Sequence, residues 1–177
     1  MITQNENKYY KNIYRRLSQM KEFFIKKEFP DSYSPKDWYK FLNELKTIQG
    51  NANNDISFIA TMMAKNYIEQ KFGISSFDAA FKPQGAPGLD IDVILSDGSR
   101  LVAEIKTTNP YKLNDLGAQQ KATFQKDFDK LLNEKADIKL FMVTERNTFN
   151  LMKTAKYRGC IPGVKVVLLS SNEEIIA

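Results

Sequence analysis

Two short apolar runs that carry acidic residues flank a turn at residues 96–98, and this hairpin constrains the fold more than any other stretch. The sequence Ser-Asp-Gly predicts a three-residue hairpin loop, a type I turn followed by Gly98 in the left-handed conformation. This loop pairs Leu95 with Ser99 and thereby sets the register of both strands. A different turn type would shift the register by one residue and exchange the two faces.

Side chains of the hairpin divide between two faces in the predicted register. Counting outward from the turn, Asp90 lies opposite Glu104, and Asp92 lies opposite Val102. Successive side chains of a strand point to opposite faces. The face predicted to carry the charges holds Asp90, Asp92, Glu104 and Lys106. The face predicted to be apolar holds Ile91, Val93, Ala103 and Ile105.

Several carboxylates on one small face predict a bound divalent cation. Uncompensated, they would repel one another and raise one another's pKa. Oxygen ligands suit Mg²⁺ or Mn²⁺, and the ammonium of Lys106 beside such an ion can orient or activate a water. The alternative is a surface hairpin with solvated charges. Charged side chains among apolar strands and helices, however, cost free energy unless a partner compensates them.

The composition excludes several kinds of hydrolysis. The chain has no histidine, which removes Ser-His-Asp and Cys-His catalysis and histidine-ligated zinc. A single cysteine, Cys160, excludes an internal disulfide and a cysteine-rich zinc site. Any hydrolysis must therefore depend on carboxylates, lysines and a hard metal ion.

Length and charge favour one domain that binds a polyanion. The chain has 177 residues, enough for one core, and a net charge of +5. Residues 1–50 hold ten Lys and Arg against six Asp and Glu, which favours phosphate contacts, although a solvated basic surface is the alternative. No apolar run approaches the roughly 18 residues of a membrane span, and the polar start lacks a signal-peptide pattern. We expect a cytoplasmic protein with no membrane partner.

The remaining periodicities predict helices alternating with strands. Helices are predicted at 8–28, 34–50, 54–73, 119–136 and 148–159, and further strands at 138–145 and 164–171. Helices that alternate with strands after a hairpin predict a mixed sheet with helices on both faces. The first helix carries a predicted apolar stripe of Tyr10, Ile13, Tyr14, Leu17, Met20 and Phe24.

The hairpin resembles the motif of the PD-(D/E)xK nuclease superfamily, which has an acid at the start of one strand and acid-x-lysine on the next. Asp90 or Asp92 matches the first acid, and Glu104-Ile105-Lys106 matches the second part. The element order is also similar over about residues 54–170. One departure is that Pro87 does not directly precede an aspartate. Asp92 leads straight into an apolar run whereas Asp90 lies opposite Glu104, so we lean to Asp92 and keep both.

The resemblance implies an α/β restriction-endonuclease-like core at residues 51–177, with a central mixed β-sheet flanked by helices. It also implies an N-terminal helical segment at residues 1–50 for DNA contact or dimerisation. The implied activity is that of a Mg²⁺-dependent endodeoxyribonuclease, most similar to type II restriction endonucleases, that leaves a 5′-phosphate. The implied metal ligands are Asp90, Asp92, Glu104 and the Ile105 carbonyl, with Lys106 acting on the attacking water. Cutting both strands of double-stranded DNA implies a homodimer.

Three further residues are candidate substrate contacts. Gln120 and Lys126 fall on the helix after the motif, and Thr107 follows the lysine; each can instead be an ordinary surface or strand residue. Two other functions remain open on the same fold. One is a structure-selective or repair nuclease such as a Holliday-junction resolvase, and the other is a non-catalytic DNA-binding subunit.

Overall fold

The computed structural model describes residues 1–27, 32–73, 77–83, 86–111 and 115–177. The chain divides into two compact units, Met1–Ile56 and Ser57–Ala177. We call them the N-terminal unit and the sheet unit. No helix in the described ranges is long and apolar enough to cross a bilayer.

The N-terminal unit consists of α1 (Gln4–Lys26), α2 (Pro35–Gln49) and the start of α3 (Ala52–Phe72). Thr3 caps α1 by accepting a hydrogen bond from the Glu6 amide, and Ser34 caps α2 in the same way. Gly50 ends α2 with a φ of 65°, a conformation that favours glycine. The two helices are therefore delimited by local signals in the sequence.

The predicted apolar stripe of α1 is largely not its buried face. Tyr14 is 74% exposed, Leu17 57% and Phe24 44%. Among the described residues of this unit, the buried large apolar side chains are Phe23 and Phe41, whose ring centroids lie 5.1 Å apart. The helix α1 instead buries Phe23, the ring next to the stripe, where α2 packs against it. The predicted end of this helix at residue 28 lies outside the described residues.

The sheet unit contains a mixed sheet with strands in the order β1-β2-β3-β4-β5. The central three strands are parallel, and each edge strand is antiparallel to its neighbour. The strands are β1 (Ile91–Ile94), β2 (Arg100–Lys106), β3 (Ile138–Val143), β4 (Lys165–Leu168) and β5 (Glu173–Ile176). The helices after the hairpin are α4 (Ala118–Asn133), α5 (Arg146–Met152) and α6 (Ala155–Arg158). The predicted α/β architecture with a mixed sheet flanked by helices is confirmed.

Two apolar clusters cover the two faces of the sheet. One joins Val102 and Phe141 of the sheet to Phe124 and Phe128 of α4. The other joins Ile91, Ala103 and Met142 to residues of α3, with Val93 and Ile105 packed against it. Burial of one such side chain contributes about 1.5–3 kcal/mol, so these clusters fix the helices on both faces.

The hairpin has the predicted register. The Leu95 amide donates to the Ser99 carbonyl at 2.8 Å, and Gly98 has a φ of 87°. Asp92 pairs with Val102, and Ile91 pairs with Ala103. A side chain at position 98 would be strained in this left-handed conformation, so the turn residue itself fixes which side chains share a face.

Two features of the C-terminal region differ from prediction. The single helix predicted at 148–159 is two helices, because Thr154 has an extended backbone (ψ 147°) that interrupts the helical path. The last strand, β5, was not predicted. Its four residues, Glu-Glu-Ile-Ile, show no alternation of polar and apolar residues, and its pairing with β4 is a tertiary contact.

Candidate active site

A cavity of about 280 Å³ in the sheet unit gathers most of the predicted site residues. Five of them line it, namely Asp90, Glu104, Ile105, Lys106 and Thr107. The helix α4 adds Asp127 and Lys130, and α3 adds Ser57 and Thr61. We call this space the motif cavity.

Asp90 reaches the motif cavity from the residue before β1. Its Oδ2 accepts a hydrogen bond from the backbone amide of Ile105 at 2.8 Å. The pairing of Ile91 with Ala103 places Asp90 opposite Glu104 when the register is continued by one residue. The left-handed Gly88, with a φ of 93°, allows the chain to turn into this position. One carboxylate oxygen of Asp90 is thereby fixed beside the backbone of the second motif strand.

Glu104 is the most deeply buried acid of the motif cavity, with 2% of the residue exposed. Its Oε1 accepts a hydrogen bond from Lys130 Nζ at 3.0 Å. Burial, followed by the nearby Asp90 carboxylate, raises the pKa of Glu104 to about 8, although the Lys130 hydrogen bond acts in the opposite direction. Burial therefore favours the protonated form of Glu104, whereas a cation bound beside it would favour the ionised form.

Lys106 is held by a buried carboxylate on α4. Its ammonium forms an ion pair with Asp127, which is 6% exposed. Lys130 also contacts Asp127, with Nζ 3.1 Å from Oδ1. Lys106, Asp127, Lys130 and Glu104 therefore form a chain of alternating basic and acidic groups.

Sequence reasoning missed Asp127 and Lys130, although a signal for Asp127 was present. Phe124, Phe128 and Leu131 form the buried stripe of α4, and Asp127 lies on that stripe. An acid on an apolar helix face requires a partner that compensates its charge. Lys106, two positions after Glu104 on the neighbouring strand, is a suitable partner. No comparable signal marks Lys130, which lies at the partly exposed edge of the helix.

Asp92 lies on the predicted face of the sheet but does not line the motif cavity. Its two oxygens accept hydrogen bonds from Arg100, from Nε at 2.9 Å and from Nη2 at 2.7 Å. Arg100 also donates to Glu134 at 2.9 Å. The Arg100 hydrogen bonds hold the pKa of Asp92 below its usual value. Asp90 thus lines the motif cavity while Arg100 engages Asp92 outside it, so the geometry favours Asp90 over Asp92 as the metal acid.

Two of the three predicted substrate contacts lie elsewhere. The Gln120 Oε1 accepts from the amides of Tyr111 (2.8 Å) and Gly117 (3.0 Å), and its Nε2 donates to the Asn109 carbonyl at 2.7 Å. The side chain of Gln120 thus holds the chain before α4, and Gln120 does not line the motif cavity. Lys126 is exposed on α4 and does not line the motif cavity, whereas Thr107 does.

The donor set of the motif cavity fits Mg²⁺ or Mn²⁺. Within the described residues, no three carboxylate, imidazole or thiol side chains form a complete metal cage. Mg²⁺ usually keeps several waters and is bound by one or two carboxylates together with substrate phosphate. Asp90 and Glu104 supply two carboxylates, and burial together with the nearby Asp90 raises the pKa of Glu104.

Comparison of the chain with family models, with curated proteins and with solved structures finds no match in any of the three. The motif, the order of elements and the geometry of the cavity therefore carry the functional interpretation.

Proposed function

We propose that this chain is a Mg²⁺-dependent endodeoxyribonuclease with a restriction-endonuclease-like core, most similar to type II restriction enzymes. The observation that supports this function is the convergence of Asp90, Glu104 and Lys106 on one cavity. Two carboxylates can bind a divalent cation, and an ammonium beside the cation can orient the attacking water. Mn²⁺ is the alternative ion.

The proposed roles follow from the position of each group. Asp90 and Glu104 hold the ion, together with the Ile105 carbonyl. A bound Mg²⁺ supplies Lewis-acid polarisation of the phosphate and lowers the pKa of a coordinated water. Lys106 orients the attacking water by hydrogen bonding, and Asp127 acts as a positioning residue for the Lys106 ammonium. Attack of the water oxygen on phosphorus breaks the bond to the 3′ oxygen, which leaves a 5′-phosphate and a 3′-hydroxyl.

Double-stranded DNA and a second copy of the chain are the proposed partners. The basic residues of segment 1–50 suit phosphate contacts. The helices α1 and α2 leave large apolar side chains exposed, including Tyr14, Leu17, Tyr39 and Leu42. These side chains suit a contact between two copies of the chain. Two copies would bring one motif cavity to each DNA strand.

Incubation with supercoiled plasmid and phage DNA, with Mg²⁺ or with EDTA, tests this proposal. The wild-type protein should cleave only with the metal, and Lys106→Ala and Glu104→Ala should each lose at least about 100-fold in rate. Lys135→Ala and Asp129→Ala are matched controls, because both side chains are exposed and neither lines the motif cavity. Full metal-dependent cleavage by Lys106→Ala would refute the proposed mechanism.

The other two functions give different outcomes in related experiments. A structure-selective nuclease would cleave branched DNA in preference to linear plasmid, whereas discrete bands from plasmid indicate a restriction enzyme. A non-catalytic DNA-binding subunit without a metal site would not gain thermal stability from Mg²⁺. The proposed site should gain stability by linkage, and Glu104→Ala should abolish that gain.

A further inference from the structure

A second cavity, of about 400 Å³, adjoins the motif cavity. Gly88 and Asp90 line both cavities, so the two spaces meet at the residues that lead into β1. The second cavity has an apolar wall that includes Phe77 and Phe81. Its volume lies within the range of roughly 300–1,000 Å³ that is common for small-ligand sites. We call it the aromatic cavity.

Phe81 is presented at this cavity by an ordered turn. The residue is 81% exposed, although its neighbours are held in place. Asp78 accepts hydrogen bonds from the Ala80 amide at 2.9 Å and, through its carbonyl, from the Phe81 amide at 3.1 Å. Lys82 donates to the carbonyl of Leu89. A large aromatic ring that is exposed while hydrogen bonds hold its backbone suits a contact surface.

The charges around the aromatic cavity favour a neutral planar ligand. Asp78, Asp90 and Asp92 line it, and its one lining lysine, Lys82, is engaged by a backbone carbonyl in the described structure. Arg100 already occupies both oxygens of Asp92, but Asp78 and Asp90 still disfavour a phosphate in this cavity. A nucleobase offers an uncharged ring for stacking and amino groups that can donate to a carboxylate. An apolar side chain of a protein partner could pack on the Phe81 ring but would offer no hydrogen-bond donor to the carboxylates.

We propose that the aromatic cavity is a nucleobase subsite, in which an unpaired base stacks on Phe81 while the neighbouring phosphate lies at Asp90 and Glu104. This inference rests on the proposed nuclease function and specifies its substrate. A base that is still paired and stacked in a duplex cannot present its face to a protein ring. The substrate class is therefore DNA with an unpaired nucleotide at the cut, such as a single strand, a flap or a flipped base.

Binding measurements on the full chain test the subsite separately from cleavage. The probes are a fluorescent single-stranded 12-mer, the same 12-mer with abasic positions, and a duplex of equal length, with Ca²⁺ replacing Mg²⁺. Phe81→Ala should weaken binding of the single strand by about 5- to 100-fold, the equivalent of stacking one base. Phe81→Trp should retain it, and neither variant should alter the melting temperature, because the side chain is exposed.

The abasic 12-mer should bind wild type and Phe81→Ala equally, and Phe81→Ala should weaken binding of the fully paired duplex less than binding of the single strand. Equal binding of the intact single strand by wild type and Phe81→Ala would overturn the subsite, as would an equal loss with the abasic strand. Failure of the nuclease proposal alone would give a different result. The protein would then cleave no DNA, but its binding of the single strand would still depend on Phe81.

Discussion

The two compact units differ in how much of their large apolar side chains they bury. In the sheet unit, both faces of the sheet are covered, and Phe124, Phe128 and Phe141 are at most 2% exposed. In the N-terminal unit, Tyr14 and Tyr39 are more than 70% exposed. A sheet with a helix layer on each face generates two cores, whereas helices α1 and α2 generate one small contact around Phe23 and Phe41. We infer that the sheet unit supplies stability and chemistry, and that the N-terminal unit supplies contact surface.

The largest expected effect is on the free energy of unfolding, and it compares the sheet unit with the N-terminal unit directly. Phe141→Ala should destabilise the sheet unit by about 3–5 kcal/mol, because the substitution leaves a cavity in contact with two other rings. Leu17→Ala in the exposed stripe of α1 should cost less than about 0.5 kcal/mol. Urea unfolding followed by circular dichroism measures both, and Trp38, the single tryptophan, reports on the N-terminal unit by fluorescence. Equal losses in the two variants would contradict the division of roles.

The next effect concerns catalysis and compares one ion-paired acid from each unit. Asp127→Asn should lower kcat by about 10- to 100-fold with a small change in KM, since Asp127 positions Lys106. In a Lys106→Ala background the same substitution should cost nothing further, because the group it acts on is absent. Asp55→Asn, which breaks the ion pair with Arg16 in the N-terminal unit, is the matched control and should leave kcat unchanged. Additive losses from Asp127→Asn and Lys106→Ala would show that Asp127 does not act through Lys106.

A smaller effect is the pH dependence of stability, to which Glu104 and Asp37 should contribute with opposite signs. The folded pKa of Glu104, about 8, exceeds its ordinary value of 4.5. The folded protein then binds more protons than the unfolded chain, so stability falls as pH rises from about 4.5 to about 8. Asp37 in the N-terminal unit has a pKa lowered by its hydrogen bond with Ser34, so its contribution is lost only as pH falls below about 4.

Urea midpoints of the metal-free protein between pH 5 and 9 measure the Glu104 effect. Glu104→Gln should remove the decline above pH 5, and Mg²⁺ should stabilise the wild type more at high pH, because only the ionised carboxylate binds the ion. An unchanged slope in Glu104→Gln would assign the decline to another group.

Local sequence signals predicted the parts of the fold that depend on local geometry. The turn residues predicted the hairpin register, and through it the shared face of Asp90, Glu104 and Lys106, because the predicted three-residue loop places Gly98 in the left-handed conformation that it adopts. Alternation of apolar runs predicted the helices and the parallel strands. These features need no knowledge of distant residues.

Other features depend on partners that are remote in sequence and were missed or misjudged. Asp92 and Asp90 have the same periodicity, and only the position of Arg100 separates them. The ion pair between Lys106 and Asp127 spans 21 residues, and its geometry depends on how α4 packs on the sheet. The stripe of α1 has helical periodicity. Periodicity alone does not predict that the main core forms in the sheet unit and that most of this stripe stays exposed.

Titration with Mn²⁺, followed by electron paramagnetic resonance of the free ion, tests most directly whether Asp90 and Glu104 share a divalent cation. We expect the wild type to bind the ion, Asp90→Asn and Glu104→Gln to weaken binding by at least about tenfold, and Asp92→Asn to bind as the wild type does. Wild-type affinity in Glu104→Gln, or a loss in Asp92→Asn equal to that in Asp90→Asn, would contradict the proposed site.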